Sequence, residues 1–586
     1  MSGSVAMQVR DLRVKLADTG ESILGGVSFD LQPGRIFALV GESGSGKSVT
    51  SLATMRLLPD ALAITAGSVH MAGEDLFNLS ESQMQQVRGR RVAMIFQNAM
   101  SALNPVQTAG QQVAETLRLH TPLRGSALRQ RVLQLFAEVG IAEPEARYTF
   151  YPHQLSGGQQ QRVMIAMALA CEPEILIADE PTTALDVTIQ EQVLELIREL
   201  TVSRSLAVLL ITHDMGVVRN TADEVAVMYQ GEIIEQAPVE EFFHRPQQAY
   251  SRRLIDALPD LTHFRQPPPP EQLLRLDDVH VHFPIRKGVL QRVVDYTRAV
   301  DGVSLALGRG ETYALVGESG SGKSTLGRAI LRLEAVANGE IHFDGEPIHG
   351  LHRREMLPYR KRIQVIFQNP YSSMNPRLTV GEIIAEGMLS LGLGLDAAQR
   401  QQRISELLRR VDLDPEYSQR FPHEFSGGQL QRIAIARALA VEPELIICDE
   451  PTSALDVSIR AGVLELLQEL QREFRVSYLF ITHDLSIVPG LAHQVGVMQL
   501  GKIVEQGSAE QILMAPGQRV DLIVDVVAEP GSDAHLVRYD REESFSQVAF
   551  SVAGQASASR RAPPAALPPN PDMEVGGLDD ALRSLL

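Results

Sequence analysis

The sequence has no tryptophan and few other aromatic residues, which disfavours ligand grooves lined with aromatic rings. Tryptophan is absent and Phe, Trp and Tyr together make up 5% of the 586 residues. There are two cysteines, Cys171 and Cys448, which are too few to ligate an iron–sulfur cluster or a structural zinc ion by themselves. We expect both thiols to be reduced and buried, as in a cytosolic protein.

Long apolar runs and an excess of basic charge are also missing. No stretch reaches about 18 apolar residues, so no membrane span is expected, and the first residues, MSGSVAMQVRDLRVKL, lack the apolar core of a signal peptide. The net charge is −18, from 54 basic and 72 acidic side chains, which disfavours binding along a nucleic-acid backbone. If such a chain works at a membrane, we expect a partner to hold it there.

What the sequence does contain is a long internal repeat. Five segments occur twice in the same order, and the two copies begin 276 residues apart at the first segment and 270 residues apart at the third. A repeat of this length indicates a duplicated domain. The pairs are GESGSGKS (41–48 and 317–324), IFQNAMSALNP with IFQNPYSSMNP (95–105 and 366–376), LSGGQQQR with FSGGQLQR (155–162 and 425–432), ILIADEPTTALDV with LIICDEPTSALDV (175–187 and 445–457), and ITHD (211–214 and 481–484).

Composition marks the boundary between the copies. Four consecutive prolines, Pro267 to Pro270, favour an extended, semi-rigid chain rather than a helix or a central strand. We therefore predict a first domain with a short C-terminal extension at residues 1–262, a linker at 263–272, a second domain at 273–513, and a further extension at 514–586. In that extension, VDLIVDVV and QVAFSVAG predict short strands, the Ala-, Ser- and Pro-rich stretch after them a flexible tail, and LDDALRSLL a short helix.

Each copy begins with a phosphate-binding loop. GESGSGKS fits the pattern G-x-x-x-x-G-K-[ST], follows an apolar run typical of a strand and precedes a helical pattern. Glycines let backbone N–H groups surround phosphate oxygens, the lysine neutralises phosphate charge, and the last serine ligates Mg²⁺. The predicted loop residues are Gly41, Glu42, Ser43, Gly44, Ser45, Gly46, Lys47, Ser48 and Val49 in the first copy, and Gly317, Glu318, Ser319, Gly320, Ser321, Gly322, Lys323, Ser324 and Thr325 in the second.

An acidic pair follows an apolar run in each copy. ILIAD and LIICD predict a buried parallel strand that ends in a carboxylate. Asp179 and Asp449 are expected to hold Mg²⁺, directly or through water. Glu180 and Glu450 come next, and strand alternation points them in another direction, which suits a general base that polarises the attacking water.

A second glycine-rich segment, LSGGQ in the first copy and FSGGQ in the second, precedes a helical pattern. It would present backbone N–H groups and a hydroxyl at a helix start, without a lysine. Taken alone, the segment favours an ordinary serine N-cap over a phosphate site.

Taken together, the phosphate loop, the glutamine segment, LSGGQ, the Asp–Glu strand, ALD and THD resemble the ATPase domain of ABC transporters, twice over. The resemblance covers nearly all of residues 7–260 and 273–513. It implies an α/β fold with two tandem ATPase domains, each with a RecA-like parallel-sheet core, an antiparallel β subdomain and a helical subdomain. It also implies ATP and Mg²⁺ as cofactors.

In that family the two domains pair head to tail, and each ATP lies between the phosphate loop of one domain and the LSGGQ segment of the other. The resemblance therefore implies that Ser426, Gly427, Gly428 and Gln429 complete the first site, and that Ser156, Gly157, Gly158 and Gln159 complete the second.

The resemblance implies further roles outside these loops. Gln97 and Gln368 match the glutamine that touches Mg²⁺ or water and senses the membrane partner, and His213 and His483 match the switch histidine at the γ-phosphate. The implied catalytic residues are thus Glu180, Glu450, His213, His483, Gln97 and Gln368. The implied metal-binding residues are Ser48, Gln97, Asp179, Ser324, Gln368 and Asp449.

One residue departs from the family pattern. The family places an aromatic ring near the first strand to stack on adenine; Phe283 fits that place in the second copy, whereas the first copy has Leu16. We expect weaker adenine stacking at the first site. Asp186 and Asp456 match the loop that couples the two sites.

Several segments resemble the oligopeptide and dipeptide importer branch of the family. They are the stretches after the two glutamines, HRPQQAYSRRLIDALP at 244–259, and FPIRKGVLQRVVDYTRAVDGVSL at 283–305, which is similar to fused ATPase subunits of microcin C and oligopeptide importers. The fused glutathione importer ATPases are near relatives. The cysteine cluster that many relatives carry in the C-terminal extension is missing, and APGQRVDLIVDVVAEP stands where that extension is expected, so no role is assigned to residues 514–586.

This branch implies a motor for peptide import that works with two integral-membrane permease subunits and, through them, an extracytoplasmic peptide-binding protein. The chain is expected at the cytoplasmic face of the inner membrane, held by its partners, without nucleic acid. The alternatives are a soluble tandem ABC protein acting on ribosomes or DNA, a glutathione-type importer, and an exporter motor. The short proline-rich linker, the missing zinc cysteines and the acidic charge disfavour the soluble reading.

Overall fold

The computed structural model describes residues 5–97, 102–182, 187–256, 258, 264–266, 268, 271–287, 292–318, 320–453, 455, 457–513, 533–540 and 543–551. It divides into two compact units, Met1–Met514 and Ala515–Leu586. The predictions that lie outside the described residues are those for Ser319, Asp186, Asp456, the strand VDLIVDVV, the tail and the terminal helix.

A six-stranded sheet forms the centre of the first domain. Its middle strands carry the apolar runs IFALV, ILIAD and AVLLI and are buried at every residue, because a parallel sheet is covered on both faces. Five strands run parallel in the order β9-β3-β8-β7-β6, with β10 antiparallel at the edge. The strands of the domain are β1 (Met7–Leu16), β2 (Ser22–Leu31), β3 (Ile36–Val40), β4 (Leu62–Met71), β5 (Glu74–Asp75), β6 (Val92–Ile95), β7 (Ile175–Asp179), β8 (Ala207–Ile211), β9 (Glu224–Tyr229) and β10 (Glu232–Pro238).

The two faces of this sheet carry different layers. Alternate side chains point to opposite faces of a strand: Phe37 and Leu39 pack against the antiparallel sheet β2-β1-β4-β5, whereas Val208 and Leu210 pack against the helical subdomain. The helices are α1 (Lys47–Thr54), α2 (Glu81–Val87), α3 (Ala109–His120), α4 (Gly125–Glu138), α5 (Pro144–Arg147), α6 (Gly157–Leu169), α7 (Val187–Arg204), α8 (Met215–Thr221), α9 (Val239–His244) and α10 (Ala249–Asp256).

The second domain repeats this arrangement. Its central sheet has the order β16-β17-β18-β13-β19-β20, and its antiparallel sheet the order β12-β11-β14-β15. The strands are β11 (Gln272–Lys287), β12 (Arg292–Gly308), β13 (Thr312–Val316), β14 (Asn338–Phe343), β15 (Glu346–Pro347), β16 (Ile363–Ile366), β17 (Leu445–Asp449), β18 (Ser477–Thr482), β19 (Gln494–Gln499) and β20 (Lys502–Ser508). The helices are α11 (Lys323–Ile330), α12 (Leu357–Arg362), α13 (Pro370–Ser373), α14 (Val380–Ser390), α15 (Ala397–Arg410), α16 (Gly427–Leu439), α17 (Val457–Phe474), α18 (Val488–Leu491) and α19 (Ala509–Leu513).

The predicted α/β architecture, with a parallel core, an antiparallel β subdomain and a helical subdomain in each copy, is confirmed. Short 3₁₀ turns complete the connections at Leu76–Asn78, Pro152–Gln154, Pro415–Gln419, Pro422–Glu424 and Leu485–Ile487. None of the helices in the described part of the chain has the length and apolar character needed to cross a membrane.

The end of the first domain touches the second. Helix α10 lies against α17, and Phe264 packs against the apolar cluster around Ala314 and Val495. The Arg265 guanidinium donates to Gln471 Oε1 at 2.7 Å. The predicted domain boundaries at residues 262 and 273 stay predictions.

Two smaller predictions meet the structure differently. The run QVAFSVAG lies partly on a strand, because β22 (Glu543–Ser551) pairs antiparallel with β21 (Asp533–Asp540) in the second unit. Both cysteines are free, but Cys171 is only half-buried, so the prediction that both are buried is wrong for that residue. Cys171 follows the end of α6 and precedes Glu172, whose backbone is left-handed; Cys448 lies inside the central sheet and is buried.

Candidate ATP-binding and hydrolysis sites

The phosphate loop of each copy joins the central strand to a helix, as predicted. Gly41 has φ +154° and Gly46, the N-cap of α1, has φ +104°. A Cβ atom on Gly41 would lie 2.2 Å from the carbonyl oxygen of Met228, so a glycine is required there on steric grounds as well as for its backbone angle. Gly317 and Gly322 repeat these conformations, with φ values of +152° and +106°.

The lysine of each loop curls back over it. Lys47 is 6% exposed, and its ammonium group donates to the carbonyl oxygens of Gly41 and Glu42 at 2.8 and 2.9 Å. Lys323 makes the corresponding two bonds, each at 2.7 Å. The hydroxyl of Ser45 is inaccessible to solvent and has no hydrogen-bond partner among the described residues. A buried ammonium group and an unpaired hydroxyl beside a helix N-terminus fit a phosphate group.

The last serine of each loop meets the strand aspartate. Ser48 Oγ donates to Asp179 Oδ1 at 3.2 Å, and Ser324 Oγ donates to Asp449 Oδ1 at 2.7 Å. Burial raises the pKa of Asp179 to about 6 and also raises the pKa of Asp449, so a nearby cation would stabilise either carboxylate in its charged form. Two oxygen donors that leave room for water and phosphate oxygens fit Mg²⁺.

The glutamate after each aspartate is directed by a turn rather than by strand alternation. Strands β7 and β17 end at the aspartates, and Glu180 and Glu450 both have φ +47°. The N–H groups of Glu180 and Glu450 donate to Ile211 and Ile481 at 2.9 and 3.0 Å. Each glutamate has different partners from the aspartate before it, as predicted. The predicted reason, strand alternation, is wrong, because the left-handed backbone of the glutamate sets the direction of its side chain.

Glutamine and histidine side chains hold this glutamate from two sides. In the first copy, Gln97 Nε2 donates to Glu180 Oε2 at 2.7 Å and His213 Nδ1 lies 3.1 Å from Glu180 Oε1. In the second copy, Gln368 Nε2 donates to Glu450 Oε2 at 2.8 Å, and His483 Nδ1 lies 3.2 Å from Glu450 Oε1. The structure thus brings together three residues from separate motifs: the glutamine lies 83 or 82 positions before the glutamate, and the histidine 33 positions after it.

The ionisation of this group is best defined in the second copy. Burial by itself favours the neutral acid, but His483, Lys323 and Gln368 together outweigh it and lower the pKa of Glu450. The hydrogen bond with Glu450 raises the pKa of His483. A carboxylate held charged and oriented by two partners can accept a proton from a water molecule, which is the chemistry of a general base.

The serine of each LSGGQ-type segment is a helix N-cap, as the segment taken alone predicted. Ser156 caps α6 and accepts from Gln159 N at 3.3 Å, while Gln159 Oε1 accepts from Ser156 N at 3.2 Å. Ser426 and Gln429 repeat this capping box in front of α16. These bonds lie within one domain, so the predicted sandwich of ATP between domains stays a prediction.

The two glycines of the first segment differ in how closely side chains surround them. Gly158, like its counterpart Gly428, needs to be small because an added Cβ would lie 2.8 Å from Ile189, or 2.5 Å from Ile459 in the second copy. Among the residues that the structure describes, a Cβ on Gly157 would meet no atom within 4 Å. These residues therefore crowd the first glycine less than the second.

The remaining predicted residues lie where the repeat places them. Val49 and Thr325 are in the first turns of α1 and α11. Phe283 is 38% exposed near the end of the described part of β11, and Leu16 is the last residue of β1. The stacking roles of these two side chains stay predictions.

One residue at the site, Tyr250, lies outside the nucleotide-binding motifs of the sequence, in the extension at 244–259. The backbone N–H of Glu42 donates to the hydroxyl oxygen of Tyr250 at 3.1 Å, and the Tyr250 ring lies 4.5 Å from that of Tyr229, measured between centroids. Helix α10, which carries Tyr250, also lies against α17 of the second domain. No motif signals such a contact, because it depends on how the extension packs against the domain.

Fold and loops together define a protein with two P-loop ATPase domains in one chain. The family model described as ABC transporter matches residues 24–183 and 300–453. The chain is 49% identical over 519 residues to a peptidoglycan transport ATP-binding protein, YejF, of Agrobacterium fabrum, covering 87% of this chain and 94% of that protein. An ABC transporter ATP-binding protein of Escherichia coli, also called YejF, is 48% identical over 501 residues, covering 85% of this chain and 94% of that protein.

A third relative, the glutathione import ATP-binding protein GsiA of Escherichia coli, is 48% identical over 541 residues, covering 86% of each chain. The chain therefore belongs to the ABC transporter family, as an ATP-binding protein with two fused ATPase domains. Its enzymatic activity is the ATP hydrolysis of that family.

Proposed function

We propose that the chain is the ATP-hydrolysing motor subunit of an ABC importer for peptides or peptide-like molecules. The observation that carries the proposal is the relatives' span: the alignments with proteins named for peptidoglycan transport and glutathione import cover 87% and 86% of this chain. Glutathione is a short peptide, and peptidoglycan contains short peptides, so an oligopeptide, a dipeptide or a peptide-like antibiotic is the shared substrate class.

In the proposed reaction each phosphate loop binds the phosphates of ATP. The backbone N–H groups and Lys47 surround the oxygens at the first site, and Lys323 does so at the second. Mg²⁺, bound by Ser48 and Asp179 or by Ser324 and Asp449, would neutralise phosphate charge.

Hydrolysis follows from the glutamate and its two partners. Glu180 or Glu450 accepts a proton from water as the water attacks the γ-phosphorus, and the bond from that phosphorus to the bridging oxygen breaks to release ADP and phosphate. The neighbouring glutamine and histidine keep the carboxylate in place. This role is supported by the contacts of 2.7 to 3.2 Å that fix both carboxylate oxygens in each copy.

Import requires that hydrolysis move a partner. We infer that ATP draws the two domains together head to tail, so that the N-cap of α6 meets the ATP on the second phosphate loop and the N-cap of α16 meets the ATP on the first. The position of Ser156 and Ser426 at helix N-termini, where backbone N–H groups favour an anion, supports this arrangement. Closure would then be a ligand-driven population shift that two permease subunits convert into alternating access, with the chain peripheral at the cytoplasmic face of the membrane.

The test is purification of the chain with its membrane partners and reconstitution in lipid vesicles. We expect two permeases and a binding protein to co-purify, and ATP hydrolysis to rise several-fold when the binding protein carries a peptide. The Glu180→Gln/Glu450→Gln chain is the control that binds the same partners without stimulation. Recovery of ribosomes or DNA-repair proteins in place of permeases contradicts the proposal.

A glutathione-type importer is the second candidate, favoured by the 48% identity to GsiA. The same vesicles distinguish the two. Stimulation by glutathione but not by longer peptides supports this candidate and excludes the broader peptide importer.

A further inference from the structure

A cluster of metal-ligating side chains lies on the antiparallel sheet of the second domain, outside the nucleotide site. His280 and His282 are two positions apart on β11, and Asp301 on β12 is the register partner of His280. One donor atom of each residue lies within 4.8 Å of the other two. All three are half-buried, so they are sheltered but reachable by an ion.

The imidazole of His280 lies between two carboxylates. Its Nε2 is 3.2 Å from Asp278 Oδ1, and its Nδ1 is 3.2 Å from Asp301 Oδ1. A neutral histidine has one N–H. If His280 donates that N–H to Asp278, its Nδ1 is an acceptor that faces Asp301 Oδ1, and a carboxylate oxygen is also an acceptor. A cation between those two atoms resolves the conflict. A ligating histidine that donates its other N–H to a carboxylate is the usual support of a metal site.

The ring of His282 is available as a third donor. Its centroid lies 5.8 Å from that of His280. Its Nε2 is inaccessible to solvent and has no hydrogen-bond partner in the part of the chain that the structure describes. A buried polar atom without a partner costs free energy, and no hydrogen bond at Nε2 holds this ring back from a metal ion.

The first domain has no metal-ligating side chains at the positions that correspond to His280, His282 and Asp301. There Arg13 pairs in register with Gly25 as His280 pairs with Asp301, and Lys15 lies two positions further along the strand. Arg13 donates to Asp11 from Nε and Nη2 at 3.1 and 2.9 Å. The first copy thus supplies a permanent positive charge next to its aspartate, whereas the second copy supplies three lone-pair donors.

We propose that His280, His282 and Asp301 bind one divalent transition-metal ion, with zinc the preferred ion for a His₂Asp donor set and water in the fourth position. Donor atoms at the usual zinc distances of about 2.0–2.1 Å lie roughly 3.3 Å apart in a tetrahedral site. The separation of 3.2 Å between His280 Nδ1 and Asp301 Oδ1 already matches this edge.

The basic residues near Asp301 lie beside one of its carboxylate oxygens and leave the other for the ion. Lys502 and Arg298 lie 3.4 and 4.0 Å from Oδ2 of Asp301, whereas Oδ1 faces His280. Both basic side chains are mostly exposed, so water screens their repulsion of the ion. Asp278 contributes a compensating negative charge on the other side of the ring.

The position gives the ion a structural consequence. The N–H of Asp301 donates to Gly501 O at 2.8 Å, and the carbonyl of Ala299 abuts Gly322 of the second phosphate loop so closely that an added Cβ would lie 2.0 Å away. The ion would therefore join β11 to the strand segment that borders the second nucleotide site.

The test measures the zinc that the full chain retains after treatment with a chelator. Any affinity tag is removed first, and Mg²⁺ and nucleotide are left out. The His280→Arg/His282→Lys/Asp301→Gly variant carries the first domain's own residues at these places, which that fold accommodates. His342→Gln is the matched control, because His342 lies in the same sheet, next to Glu340 rather than in the cluster.

We expect one zinc ion per chain in the wild type and in the control, and one fewer in the triple variant. Co²⁺ in place of zinc should give the visible absorption of a low-coordinate site, also lost in the triple variant. Asp278→Asn should weaken binding by about 10-fold or more. A wild-type chain that retains no zinc would show that a proton fills the place, and equal retention by the triple variant would place any bound zinc elsewhere; either result overturns the proposal.

Discussion

The two ATPase domains differ much less around their proposed catalytic glutamates than on their antiparallel sheets. The glutamine–glutamate contacts are 2.7 and 2.8 Å, the histidine–glutamate contacts are 3.1 and 3.2 Å, and both glutamates have φ +47°. Near the first strand, by contrast, Leu16 and Arg13 in the first copy correspond to Phe283 and His280 in the second. The catalytic geometry depends on strand ends and a left-handed backbone, and it tolerates different surroundings.

A second pair shows what the fold requires and what it leaves open. The first N–H of the central strand donates to a side-chain acceptor in both copies: Ile36 to Asp223 Oδ2 at 2.8 Å, and Thr312 to His493 Nδ1 at 2.9 Å. The strand needs an acceptor there. The fold accepts a carboxylate in the first domain and a buried imidazole in the second.

The largest effect is expected from the catalytic glutamates. Glu180→Gln/Glu450→Gln should lower steady-state ATP hydrolysis by at least about 100-fold, because no carboxylate remains to accept the proton from water. The two single variants should fall by similar amounts, since the two geometries match. Near-normal hydrolysis in one single variant would show that only the other site turns over.

Adenine stacking should make the two sites differ in their affinity for nucleotide. Phe283→Leu should weaken binding of a fluorescent ATP analogue at the second site by roughly 10-fold, because stacking on an aromatic ring contributes about 1–3 kcal/mol. Lys47→Ala isolates that site and Lys323→Ala isolates the first. Leu16→Phe should strengthen the first site; no change in either variant would remove Phe283 from the adenine site.

Tyr250 should matter to the first site alone. Tyr250→Phe removes the hydroxyl that accepts from Glu42 N, and losing one such bond costs about 1 kcal/mol, or ~5-fold in ATP affinity. Measured in the Lys47→Ala background, the second site should be unchanged. A loss at both sites would instead indicate a general effect of α10 on the fold.

The smallest effect concerns pH and the second domain. Burial lowers the pKa of His493 to about 4, below the ordinary value near 6.5, so the unfolded chain binds this proton first as pH falls. Stability from this group is therefore present above pH 6.5 and lost as pH falls towards 4. Between pH 7.5 and pH 6, the free energy of unfolding of the wild type, measured with urea, should fall by somewhat less than about 1 kcal/mol relative to that of His493→Asn. If the difference between the two proteins is the same at both pH values, His493 is not a buried neutral histidine.

The sequence predicted most of the local geometry of the phosphate loops. Glycines with left-handed backbone and a lysine stand at short, fixed spacings, and the aspartate ends an apolar strand of its own, so motifs reveal them. The direction of Glu180 depends on a left-handed backbone and the contact of Tyr250 on tertiary packing, and motif spacing encodes neither. The prediction for Cys171 was wrong because an apolar helix indicates burial, whereas Cys171 lies just beyond the end of α6.

The most direct test of the account is the number of ATP molecules held by the Glu180→Gln/Glu450→Gln chain, measured by rapid filtration with radiolabelled ATP. Two complete sites in one chain predict two ATP molecules per chain, falling to one when either Lys47 or Lys323 is also replaced by alanine. One ATP per chain in the double variant would contradict the central claim that both copies form working nucleotide sites.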